Sequence, residues 1–180
     1  MKQLITALAL GAATLGIAHA ASYQAVAAEK SSVTFSYKQM GVAMDGKFKK
    51  FNAQVSLDTA KLDKAKGSID IDLASIDTGS GEADQEVVGK SWFNVAAHPK
   101  ASFVLKGIKA TGANQYEATG QLTIKGQSRD ISAPLKLSPQ GALTGSFVLK
   151  RGDYAIGEGM WAKFDVVANE ITVNFNLNLK

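Results

Sequence analysis

From Ile171 to Lys180 the chain alternates without a slip. Ile171, Val173, Phe175, Leu177 and Leu179 are apolar, while Thr172, Asn174, Asn176, Asn178 and Lys180 are polar. A period of two sends successive side chains to opposite faces of an extended strand, so this stretch has one face to bury and one to solvate. A strand that runs to a chain end frays unless neighbours hold it. The rest of the sequence must therefore supply both a sheet and a cover for the odd-numbered face.

The same alternation recurs upstream. Val33, Phe35 and Tyr37 share one face of a strand over residues 32–38, after a short first strand expected at 22–27. Residues 41–46 read as a loop or tight connection, and 46–58 as a strand. Phe48 sits on one parity there, with Phe51, Ala53, Val55 and Leu57 on the other, which predicts a β-bulge near Lys49-Lys50. Ile69, Ile71 and Leu73 alternate within 67–76, Phe103 and Leu105 within 101–107, and Tyr116, Ala118, Leu122 and Ile124 within 116–125. A turn at Lys125-Gly126-Gln127 leads to Ile131, Ala133, Leu135 and Leu137 in 129–137, where Pro134 predicts an edge or a bulge because it has no N–H to give a ladder. Phe147, Leu149 and Arg151 share a face in 143–151. A glycine-containing loop is expected over 153–162 and a closing strand over 164–179. Only residues 82–90 read as a helix, with Ser80 as cap, acidic residues early and Lys90 late.

Closely spaced alternating strands joined mainly by turns predict an all-β, antiparallel fold. One short helix cannot cover a whole sheet, so the apolar faces must cover one another. A sandwich or a closed barrel does this, and a barrel of about eight strands leaves room for packed side chains or one small ligand.

Residues 1–20 are set apart from this pattern. Lys2, an apolar run from Leu4 to Ile17 and the Ala18-His19-Ala20 triplet have the three parts of a secretory signal peptide cleaved after Ala20. No other run is apolar enough to span a bilayer, so residues 21–180 are expected to form one domain without a membrane span, periplasmic or secreted. The chain has no cysteine, which excludes disulfides, thiol catalysis and Cys-ligated metal. The formal charge of +4 comes mostly from scattered single lysines, and no basic stripe with interleaved aromatics argues for nucleic acid. A homodimer is compatible with this reading.

Candidate chemistry is sparse. His98 is the only histidine after residue 20, lies in a loop before Pro99 and has no nucleophile motif nearby. Asp70 and Asp72 read as outer-face charges rather than a metal site, and no phosphate-binding glycine motif occurs, so no metal and no cofactor are expected. Arg151 shares the apolar parity of Phe147 and Leu149. It either pairs internally with Asp153 or meets a polar or anionic ligand head. By the same parity Phe35, Tyr37, Phe48, Phe51, Ile71, Phe103, Leu105, Leu122, Ile124, Phe147, Leu149, Phe164, Ile171, Val173 and Phe175 face inward, and Trp92 and Phe93 follow the helix. As a set they form either an ordinary core or the wall of an apolar ligand cavity, because both use the same residues.

The order of segments resembles the YceI-like family of exported, lipocalin-like barrels. The matching segments are Phe35-Ser-Tyr-Lys-Gln-Met-Gly41, Gly46-Lys-Phe-Lys-Lys-Phe51, Ser75-Ile-Asp-Thr78 and Trp92-Phe-Asn94 leading to His98-Pro99. Tyr116-Glu-Ala-Thr-Gly-Gln-Leu-Thr-Ile-Lys-Gly126 with Ile131-Ser-Ala-Pro-Leu135, and Phe147-Val-Leu-Lys-Arg151-Gly-Asp-Tyr154, extend the match over nearly all of residues 21–180. The resemblance implies a lipocalin-like barrel with the helix near one end. It also implies non-enzymatic binding of a long isoprenoid or similar lipid inside, with that lipid as the small-molecule partner. Many members carry His where this chain has Gln39, so a head-group contact there would be a neutral hydrogen bond, with Arg151 as the second candidate.

Overall fold

The computed structural model describes residues 20–180; the expected signal peptide lies almost wholly outside the described residues. Eleven strands form one antiparallel sheet: β1 (Ser22–Tyr23), β2 (Ser32–Gln39), β3 (Val42–Phe48), β4 (Phe51–Asp58), β5 (Lys66–Asp72), β6 (Ile76–Asp77), β7 (Lys100–Gly112), β8 (Gln115–Ile124), β9 (Gln127–Leu137), β10 (Ala142–Lys150) and β11 (Glu170–Asn178). Their order is β1-β4-β5-β7-β8-β9-β10-β11-β2-β3-β6. The one α-helix among the described residues, α1 (Gly81–Val87), is capped by Ser80, whose hydroxyl accepts from Ala83 N.

The sheet closes through its third and fourth strands. β3 pairs with β2 along its length and touches β6 at Lys47 and Phe48, while β4 pairs with β5 and meets β1 at Leu57 and Asp58. Residues 42–58 therefore act as one bent stave with a neighbour on each side. Counting it once, and setting aside the two-residue β1 and β6, leaves eight staves, the size expected from the sequence. The break at Lys49-Lys50 is the anticipated irregularity. It is a full interruption rather than a bulge, held by Lys49 N to Ser75 O at 3.0 Å, Lys50 N to Ser75 Oγ at 2.9 Å and Asp72 N to Lys50 O at 3.1 Å.

Pro134 also marks a seam. β9 pairs with β8 throughout but with β10 only at Leu135, Lys136 and Leu137. The second ladder stops next to the residue that cannot donate to it. From there β9 and β10 diverge, and Arg129 Nε reaches across to Asp153 O at 2.8 Å.

Two expectations give way. Of the loop expected over 41–46, residues 42–46 are strand, because Met40 and Gly41 both take positive φ (50° and 81°) and make the turn in two residues. The last strand begins at Glu170, not 164, because residues 156–168 curl around Arg151 instead of extending.

Packing divides the interior. At one end Leu57, Tyr116, Leu135, Leu137, Leu143, Leu177 and Leu179 form a tight cluster. At the other, Leu73, Trp92, Leu122, Ile124, Tyr154, Ile156 and Val167 form a second one beneath α1 and the loop after β10.

Candidate functional site

Between the two clusters lies a cavity of about 750 Å³. Its walls follow from strand parity. Ile171, Val173 and Phe175 of β11 face it and are only half-buried; Leu177, further along the same face, also borders it but is buried with Leu179 in the far-end cluster. Phe35, Tyr37, Phe48, Ile71, Phe103, Leu105, Leu122, Ile124, Phe147 and Leu149 complete the sequence-derived wall, with Trp92 and Phe93 toward the open end.

Glycines explain why so many aromatic residues leave a void. Gly46 lies opposite Phe35, and Gly145 opposite Phe175, across their ladders; Gly120 lies beneath Phe103. A Cβ at any of the three would collide with the phenyl ring above it. Each ring thus lies flat against the backbone of a neighbouring strand rather than projecting to the barrel axis. Glycine inside a strand is the usual mark of such a close approach.

The mouth is at the α1 end. Gln39, Met44, Thr78, Ser80, Glu82, Ala83, Glu86, Val87, Trp161 and Val167 line it. Thr78 N and Oγ1 each donate to Asp84 Oδ1 at 2.7 Å, which fixes the helix to the end of β6. Trp161 Nε1 donates to Glu86 Oε1 at 2.8 Å and straps the loop after β10 to the helix across the opening. Tyr37 faces the cavity near this end, and burial with the nearby Asp84 charge pushes its phenol pKa up, so the hydroxyl stays protonated. The mouth contributions of α1, Met44 and Trp161 escape the strand-parity argument. The spacing of Ala83 and Val87, i and i+4 on one helix face, is the signal that would have found the helix's share.

Arg151 lines the same space but is fully engaged. It is 1% exposed, and its guanidinium donates to six backbone carbonyls: Ile156 O, Trp161 O and Val167 O at 2.8 Å, and Gly157 O, Lys163 O and Ala168 O at 3.2 Å. Its Cζ lies 5.3 Å from the Trp92 ring centroid and 4.8 Å from that of Phe164. Neither sequence-based reading of this residue describes the arrangement. Asp153 is exposed and does not pair with it, and no N–H is left for a ligand head. Five donors in a rigid fork suit a ring of carbonyls, which is what the curled loop presents. Gly157, at φ +80°, is needed there because a side chain would run into the guanidinium.

Two wall candidates lie elsewhere. Phe164 is 47% exposed and covers Arg151 from outside, since its segment belongs to the curled loop and strand parity does not apply to it. Phe51 packs against the far-end cluster with Ala53, Val55 and Ile69, because the break at Lys49-Lys50 redirects the start of β4. His98 sits over the β8–β9 turn, with its Cε1 3.3 Å from where a Cβ at Gly126 would lie. Among the described residues no cluster of three metal-ligating side chains occurs, and no helix is long and apolar enough to cross a membrane.

A YceI-like domain matches residues 24–179. The chain is 30% identical to a UPF0312 protein of Azotobacter vinelandii over 145 residues, covering 78% of this chain and 76% of the relative. A UPF0312 protein of Pseudomonas syringae pv. tomato is 32% identical over the same span. Among solved structures, Burkholderia cenocepacia BcnA superposes with a TM-score of 0.81 at 37% identity, covering 84% of this chain and 98% of BcnA. A polyisoprenoid binding domain from Saccharophagus degradans gives a TM-score of 0.61 at 16% identity, covering 88% and 97%. At that identity the likeness is one of fold.

Proposed function

The chain belongs to the YceI-like family, and from that premise we propose that it binds a long-chain isoprenoid or similar amphiphilic lipid in the barrel, in the periplasm, without transforming it. The observation that carries this reading is the apolar cavity of about 750 Å³, walled by side chains that glycines hold back from the barrel axis. It falls in the size range of small-molecule sites, roughly 300–1,000 Å³. The name of the Saccharophagus degradans domain supports the same ligand class.

The chemistry of the wall fits an extended apolar chain. Each methylene withdrawn from water contributes about 0.8 kcal/mol, so each five-carbon unit adds roughly 4 kcal/mol before ordering costs. Gln39 and Ser80 at the mouth offer hydrogen bonds to a head group, Gln39 as a neutral partner. A domain with an ordinary packed core, serving only as a partner-binding surface, would not leave such a cavity. An enzyme would need an acid–base pair, and here Arg151 is taken up by backbone carbonyls while Asp153 is exposed and unpaired with it.

The test is native mass spectrometry of the purified protein, paired with solvent extraction and uptake of a polyprenol by stripped protein. An adduct with the mass of an isoprenoid, and saturable uptake of about one chain per barrel, is the expected result. Protein that purifies empty and takes up neither polyprenol nor fatty chain would sink the proposal.

A further inference from the structure

Exposed apolar side chains are not spread evenly over this barrel. Five of the seven large ones among the described residues lie in two segments: Met40 (76% exposed) and Val42 in the β2–β3 turn, and Met160 (86%), Phe164 and Val166 in the loop before β11. The backbone ties these segments together, with Met40 N donating to Val166 O at 2.7 Å and Ala168 N to Lys38 O at 2.9 Å. Their sequence neighbours Gln39, Trp161 and Val167 line the mouth of the cavity. The other two exposed residues, Val104 and Val148, lie on the outer wall, in β7 and β10.

We infer that this rim inserts into the surface of a lipid bilayer and holds the mouth of the barrel against it. Concentrated exposed apolar side chains mark interaction surfaces. Here they are separate projecting tips, not a flat patch approaching the ~800 Å² per partner that a stable protein interface uses. The charges nearest them in sequence balance, Lys38 and Lys163 against Asp45 and Asp165, with Glu158 held by Lys125 Nζ at 2.6 Å; Glu82 and Glu86 stand on the α1 side of the mouth, Glu86 bonded to Trp161 Nε1. No cluster of basic side chains draws the rim to anionic headgroups, so the attachment is apolar and weakly dependent on salt. The Arg151 cage keeps the loop rigid, so its tips are presented together without an ordering penalty on docking. This inference concerns docking and stands apart from what the barrel holds.

Flotation of the purified protein with phosphatidylethanolamine–phosphatidylglycerol vesicles tests it, in low and high salt. The rim variant is M40D/M160D; Asp tolerates the positive φ of Met40, and Met160 is nearly free of neighbours. The control is V104D/V148D. Each methylene kept out of the acyl boundary lowers partitioning roughly fourfold, so the rim variant should lose at least about tenfold. The control should float like the parent, and salt should change little. Uptake of a water-dispersed fluorescent apolar probe, measured in parallel, should be the same in all three. Failure of the parent to float, or an equal loss in the control, overturns the inference. Flotation that depends on the rim while no variant takes up the probe supports docking and counts instead against the lipid-binding reading.

Discussion

Gly145→Ala is the sharpest way to ask whether glycines keep the barrel open. A Cβ at this position would stand 2.9 Å from Phe175 Cε2 and 2.8 Å from Leu135 Cδ2, and closer still to Phe175 Cζ. Regaining ordinary contact at 3.4 Å requires the ring edge to retreat by more than 0.5 Å, at the expense of the cavity that Phe175 lines. Overpacking of this kind costs about 1–3 kcal/mol when neighbours cannot yield. Against it stands a gain of about 0.5–1 kcal/mol for replacing a strand glycine. A double-mutant cycle separates the two. In the parent, G145A should lower the urea midpoint of ligand-free protein by the equivalent of about 1–2 kcal/mol. In an F175A background, where the ring is gone and only the flexible end of Leu135 must shift into the space it leaves, the same change should cost much less, for a coupling of roughly 1–3 kcal/mol. Uptake of a long polyprenol should fall in G145A and recover in G145A/F175A. If G145A costs as much without Phe175 as with it, the ring does not rest on the glycine and the account of the cavity is wrong.

Three further predictions follow from the loop, the strap and a surface carboxylate. Arg151→Met leaves three carbonyls that now accept at 2.8 Å without their donor, each worth about 1–3 kcal/mol if unpaired; the variant should lose several kcal/mol by urea unfolding and gain protease cleavage within residues 155–168. Lys at this position has three donors and should restore only part of that. Trp161→Phe removes the exposed bond to Glu86 Oε1, should cost the fold about 0.5–1.5 kcal/mol, and should speed release of a bound fluorescent probe several-fold in stopped flow. Asp77 is held below the usual carboxylate range by the Gly79 N–H and then by Lys49 and Lys47. A depressed folded-state pKa gives stability that is present above the unfolded value and disappears as pH falls through the folded one. Asp77→Asn should therefore be less stable than the parent at neutral pH, and the gap should close as pH falls below the usual carboxylate range; a gap that persists in acid would refute the assignment.

Most of the barrel could be read from the sequence because its rule is local. The odd face of β11 needed only a period of two, which put Ile171, Val173 and Phe175 on one side of the strand. Pro134 announced a missing ladder, because an absent N–H has one meaning in a sheet. Phe164 was misplaced because its backbone obeys a partner far away: Arg151 pulls the carbonyls around it out of extension, and no periodicity records that. Arg151 itself looked like half of an ion pair, since sequence shows charges but not the carbonyls that can satisfy one. The cavity was undecidable from its own lining. What distinguishes a lumen from a core is written in Gly46, Gly120 and Gly145 on the facing strands.

The cage around Arg151 also substitutes for covalent chemistry. The chain has no cysteine, yet one side chain fastens residue 151 to carbonyls as far on as residue 168. A disulfide across the same span would tie a loop at one point and would open in a reducing environment. This clasp grips at six carbonyls and carries no redox potential. The thermal midpoint of the protein should be the same in oxidant and in reductant, and the loop that frames the mouth should keep its shape across that range.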